Sequence, residues 1–282
     1  MTGTLSLCAT PIGNREDITY RVVRTLREAD LIAAEDTRHS RVLLDLYDIH
    51  TPVTSYHEHN KYEKAEVLLQ VLREGKNIAL ITDAGTPAIS DPGEVLVRRC
   101  LEEGIRVSSL PGACACITAL TMSGQSARRF CFEGFLPPDK KDRQEILEEL
   151  KQETRTMILY EAPHHLKNTL AELLSALGNR PVTLCRELTK KFEEGMMTTL
   201  EEAVEYYREN DPRGEYVLVI AGKSRAEKEQ EKSAHYLQMS LQEHLEMYLS
   251  AGMDKKEAMK AMAKDRNCSK RDIYRMLLEE GE

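Results

Sequence analysis

The 282-residue chain contains no tryptophan and only four phenylalanines. Its core must therefore be assembled from Leu, Ile, Val, Ala and Met rather than around large aromatic anchors. The seven cysteines (Cys8, Cys100, Cys114, Cys116, Cys131, Cys185 and Cys268) are odd in number, scattered, and form no C-x-x-C pair. That spacing argues against a disulfide framework or a zinc knuckle, so no metal is expected, and it fits a reducing cytoplasm. No stretch reaches membrane-spanning length. The first ten residues lack a basic segment followed by a long apolar run, so no signal peptide is expected. Positive charge is in deficit, with a formal net charge of -8. The overall field repels phosphate, and a nucleic-acid partner would have to meet local basic patches. Neither G-x-G-x-x-G nor G-x-x-x-x-G-K-[ST] occurs, and no G-x-S-x-G or H-E-x-x-H stands out.

What is present is an alternation of strands and helices. Hydrophobic residues make up 41% and charged residues 30%, as in ordinary soluble globular proteins. The pattern predicts strands at 5–9, 30–34, 78–81 and 107–110, with helices over 19–28, 37–47, 61–73, 94–103 and 113–122. On the second of these helices Val42, Leu43, Leu46 and Tyr47 share a face. Such alternation implies a mainly parallel, covered sheet. Apolar density drops near 123–129, where a domain boundary is expected. Beyond it come strands at 131–136, 156–160, 182–187 and 216–221 and helices over 143–151, 164–177 and 200–209. The variable connections there allow a mixed sheet. The division expected is 1–122 and 123–222 for two α/β domains, 223–239 for a linker or solvated helix, and 240–282 for a helical appendage. Within the appendage, Asp254 with Glu257 and Ser269 with Asp272 fit capping boxes, as in a helix-turn-helix. Residues 254–275 hold five Lys and three Arg against four acids.

The most informative segment runs from Ile78 through Thr82-Asp83-Ala84-Gly85-Thr86-Pro87-Ala88-Ile89-Ser90-Asp91-Pro92-Gly93. An apolar strand opens into a loop of small, turn-forming residues and then a helix, where α/β proteins place ligands. No Lys or Arg lies between 82 and 93, so the loop is not made for a polyphosphate. Other polar groups also follow strands. Glu35-Asp36-Thr37-Arg38-His39 either caps the next helix or lines a site. His57 and Asn60, within Tyr56-His57-Glu58-His59-Asn60, suit contacts to a base or sugar, or are a polar helix entry. The adjacent rings of His164 and His165 diverge and do not share a metal. Glu187 and Lys190, in Arg186-Glu187-Leu188-Thr189-Lys190, are either a proton-transfer pair or a solvated charge run.

Taken together and in order, Leu7-Cys8-Ala9-Thr10-Pro11-Ile12-Gly13-Asn14, Ala34-Glu35-Asp36-Thr37-Arg38, Tyr56-His57-Glu58-His59-Asn60, Thr82-Asp83-Ala84-Gly85-Thr86-Pro87, Glu133-Gly134-Phe135-Leu136-Pro137, Tyr160-Glu161-Ala162-Pro163-His164 and Arg186-Glu187-Leu188-Thr189-Lys190 resemble the tetrapyrrole (corrin/porphyrin) methylase superfamily. The likeness covers about residues 4–222. It is to the bacterial branch that methylates ribosomal RNA, since Gly85-Thr86-Pro87 stands where many tetrapyrrole methylases have Gly-Asp-Pro. The resemblance implies two α/β domains flanking a cleft for S-adenosylmethionine (SAM), a small C-terminal helical domain, and a homodimer. It implies SAM contacts at Pro11, Ala84, Gly85, Thr86, Ile89, Cys114, Ala115, Glu161 and Leu188. The implied reaction is 2′-O-ribose methylation of a decoding-centre cytidine in 16S rRNA of the small ribosomal subunit.

An uncharged loop agrees with SAM, which carries a sulfonium, a carboxylate and an adenine but no phosphate. A ribose hydroxyl needs its proton removed or its oxygen polarised, and Glu187 or Lys190 is expected to do this. Asp36, Arg38, His57 and Asn60 are expected to meet RNA, joined by Lys255, Lys256, Lys270 and Arg271 of the basic appendage, which otherwise is a packing or dimerisation unit. The alternatives are a tetrapyrrole C-methyltransferase, a non-catalytic ribosome-binding module, and a nicotinamide- or nucleotide-binding enzyme disfavoured by the missing phosphate loops.

Overall fold

The computed structural model describes residues 2–279, apart from the side chains at positions 225, 229–232 and 235. Residues up to Gly222 make one compact unit, and those from Lys223 make a second.

The first unit holds two five-stranded sheets. Strands β1 (Thr4–Cys8), β2 (Leu31–Ala34), β3 (Val53–Ser55), β4 (Ile78–Ile81) and β5 (Arg106–Leu110) lie in the order β3-β2-β4-β1-β5, with every pair parallel. Parallel strands are covered on both faces, so β4 can be apolar throughout. Ile78 and Leu80 pack against helices α3 (Lys61–Arg73) and α4 (Gly93–Glu102), while Ala79 and Ile81 face α1 (Tyr20–Glu28) and α2 (Thr37–Leu46). Because all five strands run the same way, the loops after β1, β2, β4 and β5 leave from one edge.

The second sheet is mixed. Strands β6 (Phe130–Phe135), β7 (Thr156–Glu161), β8 (Pro181–Arg186), β9 (Glu194–Thr199) and β10 (Tyr216–Ile220) follow the order β6-β7-β10-β8-β9. Of its neighbouring pairs only β6–β7 is parallel. One face is covered by α6 (Lys140–Lys151), α7 (Pro163–Leu177) and α8 (Leu200–Glu209), and the other by α5 (Ala115–Met122). The chain order groups α5 with the first sheet, but its residues Cys116, Ala119 and Leu120 pack on Ile158, Cys185 and Val219 of the second.

Several expectations are corrected. Strands β3 and β9 were not anticipated: β3 has three residues, and β9 is an edge strand containing Gly195 with Met197 73% exposed, so neither shows apolar alternation. Helix α2 buries Ser40 and Leu44, leaving Val42 and Leu46 exposed, so of the expected apolar face only Tyr47 packs on this core and Leu43 is half-buried. An i, i+4 pair suffices because α2 is covered only on one narrow stripe.

In the second unit, the stretch 223–239 carries helix α9 (Arg225–Gln238), opened by a reciprocal capping box between Ser224 and Glu227. The appendage has three further helices, α10 (Leu241–Ser250), α11 (Lys255–Asp265) and α12 (Lys270–Glu279), the last two starting at the expected caps Asp254 and Ser269. Positions 280–282 of that expected region lie outside the described residues. Leu241, Met262, Ala263 and Ile273 form its small core. The buried His244 ring stacks on Tyr236 at 4.4 Å and accepts at Nδ1 from Arg266 Nε at 3.1 Å. Among the described residues no helix is long and apolar enough to cross a membrane.

Candidate active site

The loop after β4 is fixed by the loop after β1. Thr10 and Gly85 exchange backbone hydrogen bonds of 2.9 and 3.1 Å, and Thr10 Oγ1 donates to the Thr82 carbonyl at 3.1 Å. Gly85 has φ +85°, a region that costs other residues about 1–2 kcal/mol. Ala88 and Ser90 adopt φ of +69° and +63° without being glycine. Asp91 pins this strained segment by accepting from the Ile89 and Gly93 amides at 3.2 and 2.8 Å. Burial pushes its carboxyl up, while those amides oppose the rise. Thr86 Oγ1 donates to the Ala113 carbonyl at 2.9 Å, joining the loop to the segment before α5.

These loops face the second sheet across a cleft of about 410 Å³. That volume lies in the range of small-molecule sites, about 300–1,000 Å³. Ala84, Gly85, Thr86, Ile89, Cys114, Ala115, Glu161 and Leu188 all line it. Pro11 instead lines an adjoining hollow of about 350 Å³, which shares Ile12, Thr82, Ala84 and Glu215 with the cleft. Both Glu161 carboxylate oxygens have partners within the protein, accepting from Thr169 Oγ1 and from the Ala162 amide at the start of α7. Cys114 and Cys116 place their sulfurs 3.4 Å apart at the start of α5. The hydrogen bond from Cys116 holds the Cys114 thiol below the usual thiol range, and the same contact pushes Cys116 up.

Lys190 lines the hollow, with its Nζ 3.0 Å from Glu187 Oε1 and 2.8 Å from Glu215 Oε2. Burial opposes its charge, but the two carboxylates raise its pKa overall. Burial likewise raises Glu187, but Lys190 and the Glu215 amide outweigh it and hold the carboxyl below the usual glutamate range. The pair is thus an ammonium and a carboxylate at neutral pH, and a free-amine base at Lys190 does not fit. Glu187 lines neither space; its backbone sits at φ +51° and its carboxylate also accepts from the Glu215 amide at 3.0 Å. Gly13 lets the β1 loop reach this corner: a Cβ there would stand 2.5 Å from Lys190 Cγ and 2.9 Å from the Leu188 carbonyl.

The two acids after β2 divide their roles. Asp36 caps α2, accepting from the Arg38 and His39 amides, and pairs with the exposed Arg38 at 3.0 Å. The Arg38 hydrogen bonds hold its carboxyl down at about 2. Glu35, expected with Asp36 either to cap the next helix or to line a site, lines the cleft and accepts from Thr82 Oγ1 at 2.6 Å. His57 and Asn60 close on each other in the turn before α3, where Asn60 Oδ1 accepts from the His57 amide at 2.8 Å, and neither lines the cleft or the hollow. Lys255, Lys256 and Arg271 are exposed and Lys270 is half-buried, all in the second unit. Not anticipated were Tyr160, Phe135 and Glu215. Glu215 carries no strand-end signal because it precedes β10, whose antiparallel direction brings its start to the edge where β7 and β8 end.

The donor set of the cleft fits SAM. Its lining holds no Lys, Arg or His but includes Glu35, Asp91 and Glu215, which suits a cation and rejects a polyphosphate. The exposed Phe135 ring, 5.5 Å from that of Tyr160, offers an apolar wall for an adenine. Helices α5 and α7 both begin at the cleft without a side-chain cap at the first position, which favours a carboxylate.

Comparison with known proteins agrees. The family model described as Tetrapyrrole (Corrin/Porphyrin) Methylases matches residues 4–204. The chain is 50% identical over 278 residues to Ribosomal RNA small subunit methyltransferase I of Halalkalibacterium halodurans, covering 99% of this chain and 96% of that one. It is 46% identical to the protein of the same name from Bacillus subtilis, covering 96% and 93%. Uroporphyrin-III C-methyl transferase from Thermus thermophilus, complexed with S-adenyl homocysteine, shares the fold with a TM-score of 0.54 at 22% identity, over 77% of this chain and 97% of that one. Fold, cleft and relatives define the class: a SAM-dependent methyltransferase. Within that class, the chain belongs to the tetrapyrrole (corrin/porphyrin) methylase family.

Proposed function

We propose that this enzyme methylates the ribose 2′-hydroxyl of a decoding-centre cytidine in 16S rRNA of the small ribosomal subunit. The observation that carries the reading is the near full-length likeness to relatives named for small-subunit ribosomal RNA methylation. The departure from Gly-Asp-Pro at Gly85-Thr86-Pro87 also favours RNA over a tetrapyrrole.

When bound, SAM supplies an electrophilic methyl whose transfer forms one C–O bond, breaks one S–C bond and releases the hydroxyl proton. Ala84, Gly85, Thr86, Ile89, Cys114, Ala115 and Leu188 are the contacts proposed for it, with Pro11 and Glu161 at its margins. Lys190, which lines the hollow and bonds Glu215 of the wall shared with the cleft, donates a hydrogen bond to the acceptor oxygen and orients it. Glu187 is a positioning residue that holds the Lys190 ammonium. Glu215 borders both spaces and is placed to take the proton.

In the second unit, Lys256, Lys260 and Lys264 recur every four residues along α11, opposite the buried Ala258 and Met262. With Lys255, Lys270 and Arg271 they have no ion-pair partner among the described residues, and we assign this stripe to RNA phosphates. In the first unit the exposed Arg38, beside Asp36, is the contact proposed for RNA, while Asp36, His57 and Asn60 serve local structure. The proposed assembly is a homodimer, a reading that rests on the family resemblance and that sedimentation equilibrium tests.

The deciding experiment incubates the enzyme with methyl-labelled SAM and small ribosomal subunits lacking the modification, then digests the RNA to nucleosides. Label on the ribose of one cytidine is expected. Label on a base, or only on an added porphyrinoid, would reject the reading.

A further inference from the structure

The hollow beside the cleft differs from it in chemistry. It holds the cations that the cleft lacks, Arg15 and Lys190, together with His39. Lys190 is taken up by two carboxylates, whereas the Arg15 guanidinium has no hydrogen-bond or ion-pair partner among the described residues. Ser40, only 3% exposed, lines the same hollow, and its Oγ lies buried without a hydrogen-bond partner. A buried hydroxyl left unsatisfied costs about 1–3 kcal/mol, so its persistence here points to a ligand oxygen. The opposite need is met by Val42 and Leu43, which line the hollow with apolar surface that α2 does not bury; Val42 is 59% exposed. A free guanidinium, an orphaned hydroxyl and an apolar shelf match the phosphate, sugar and base of one unstacked nucleotide. The shared wall at Ile12, Thr82, Ala84 and Glu215 opens this nucleotide's ribose toward the cofactor cleft.

We propose that the hollow between the β1 loop and α2 seats the acceptor nucleotide of a single-stranded RNA segment. Arg15 and His39 hold its phosphate, Ser40 bonds its sugar or phosphate oxygen, and Val42 and Leu43 carry its base. This deepens the RNA reading given above and rests on it for the identity of the polymer.

The test uses full-length Arg15→Gln and Val42→Glu enzymes, both changed at exposed positions that the fold does not use. Binding of a short fluorescein-labelled, cytidine-rich single-stranded RNA is titrated at several salt concentrations. SAM binding is measured by calorimetry, and steady-state methylation on unmodified small subunits. Arg15→Gln is expected to lower the slope of log affinity against log salt by about one, the mark of one lost phosphate contact. Both variants should raise KM for subunits about tenfold with SAM affinity unchanged, because these residues contact RNA alone. Wild-type RNA affinity, salt slope and KM in both variants would overturn the subsite while leaving ribosomal RNA methylation standing. If the unaltered enzyme transfers no methyl to subunits, the RNA reading fails on its own, and the salt slopes still decide whether the hollow takes a nucleotide.

Discussion

Lys190 illustrates how much a single side chain depends on its neighbours. In the sequence it is one of several charges in Arg186-Glu187-Leu188-Thr189-Lys190, and a solvated run explains it equally well. In the structure it stands between Glu187 and Glu215, with its pKa raised while that of Glu187 is lowered. A lowered carboxyl contributes stability above its unfolded pKa and loses it as pH falls through the folded value. A raised ammonium contributes below its unfolded pKa and loses it as pH rises through the folded value. The pair therefore acts fully across the neutral range. Lys190→Met should lower the melting temperature by a constant amount from about pH 6 to 9, with the difference closing in acid once the carboxyl is protonated. Thermal melts across that range check this. Methyl transfer by the same variant should fall on the order of a hundredfold, the usual effect of removing one hydrogen-bond donor at a reacting oxygen. Unchanged turnover with normal SAM binding would remove Lys190 from the mechanism.

At the scale of elements, periodicity made most of the fold readable. The apolar run 78–81, the helix over 61–73 and the helix over 200–209 are strong local signals, and each forms as β4, α3 and α8. Weak signals belong to edge pieces. Strand β9 pairs only with β8 and exposes much of its length, so pairing rather than composition defines it. Helix α8 starts immediately after it with a full capping box, Thr199 accepting from the Glu202 amide and Glu202 returning the bond. Replacing Thr199 with Ala should destabilise the protein by about 1 kcal/mol in urea unfolding while leaving methylation intact, since a cap satisfies backbone groups far from the cleft. A loss of activity without loss of stability would give this turn an unexpected part in catalysis.

At the scale of the molecule, two units divide the charge. The first carries the cofactor cleft and the adjoining hollow, and the second carries the basic stripe of α11. A chain ending at Gly222 keeps both sheets and all four large cores of the first unit. It should bind SAM as the full chain does but hold small ribosomal subunits more weakly, with a shallower salt dependence as phosphate contacts are lost. Calorimetry and filter binding separate the two effects. An unchanged salt slope would make the appendage a packing or dimerisation unit instead.

The sequence by itself excluded a polyphosphate from the main loop of the cleft. The loop from Asp83 to Gly93 has no cation in any conformation, and its glycines and prolines dictate a tight turn at a strand end wherever the sheet lies. It also determined the alternation of elements, because apolar period is a local property. Only the tertiary structure decided which residues meet across the cleft. Helix α5 follows the first sheet in the chain yet packs on the second, and Glu215 reaches the site because β10 runs antiparallel to its neighbours. It likewise tied the Glu161 carboxylate to Thr169 and the Ala162 amide and left Ser40 unpaired in the hollow. Local pattern fixes what each segment offers. Long-range pairing, which carries no local signature, fixes what each segment faces.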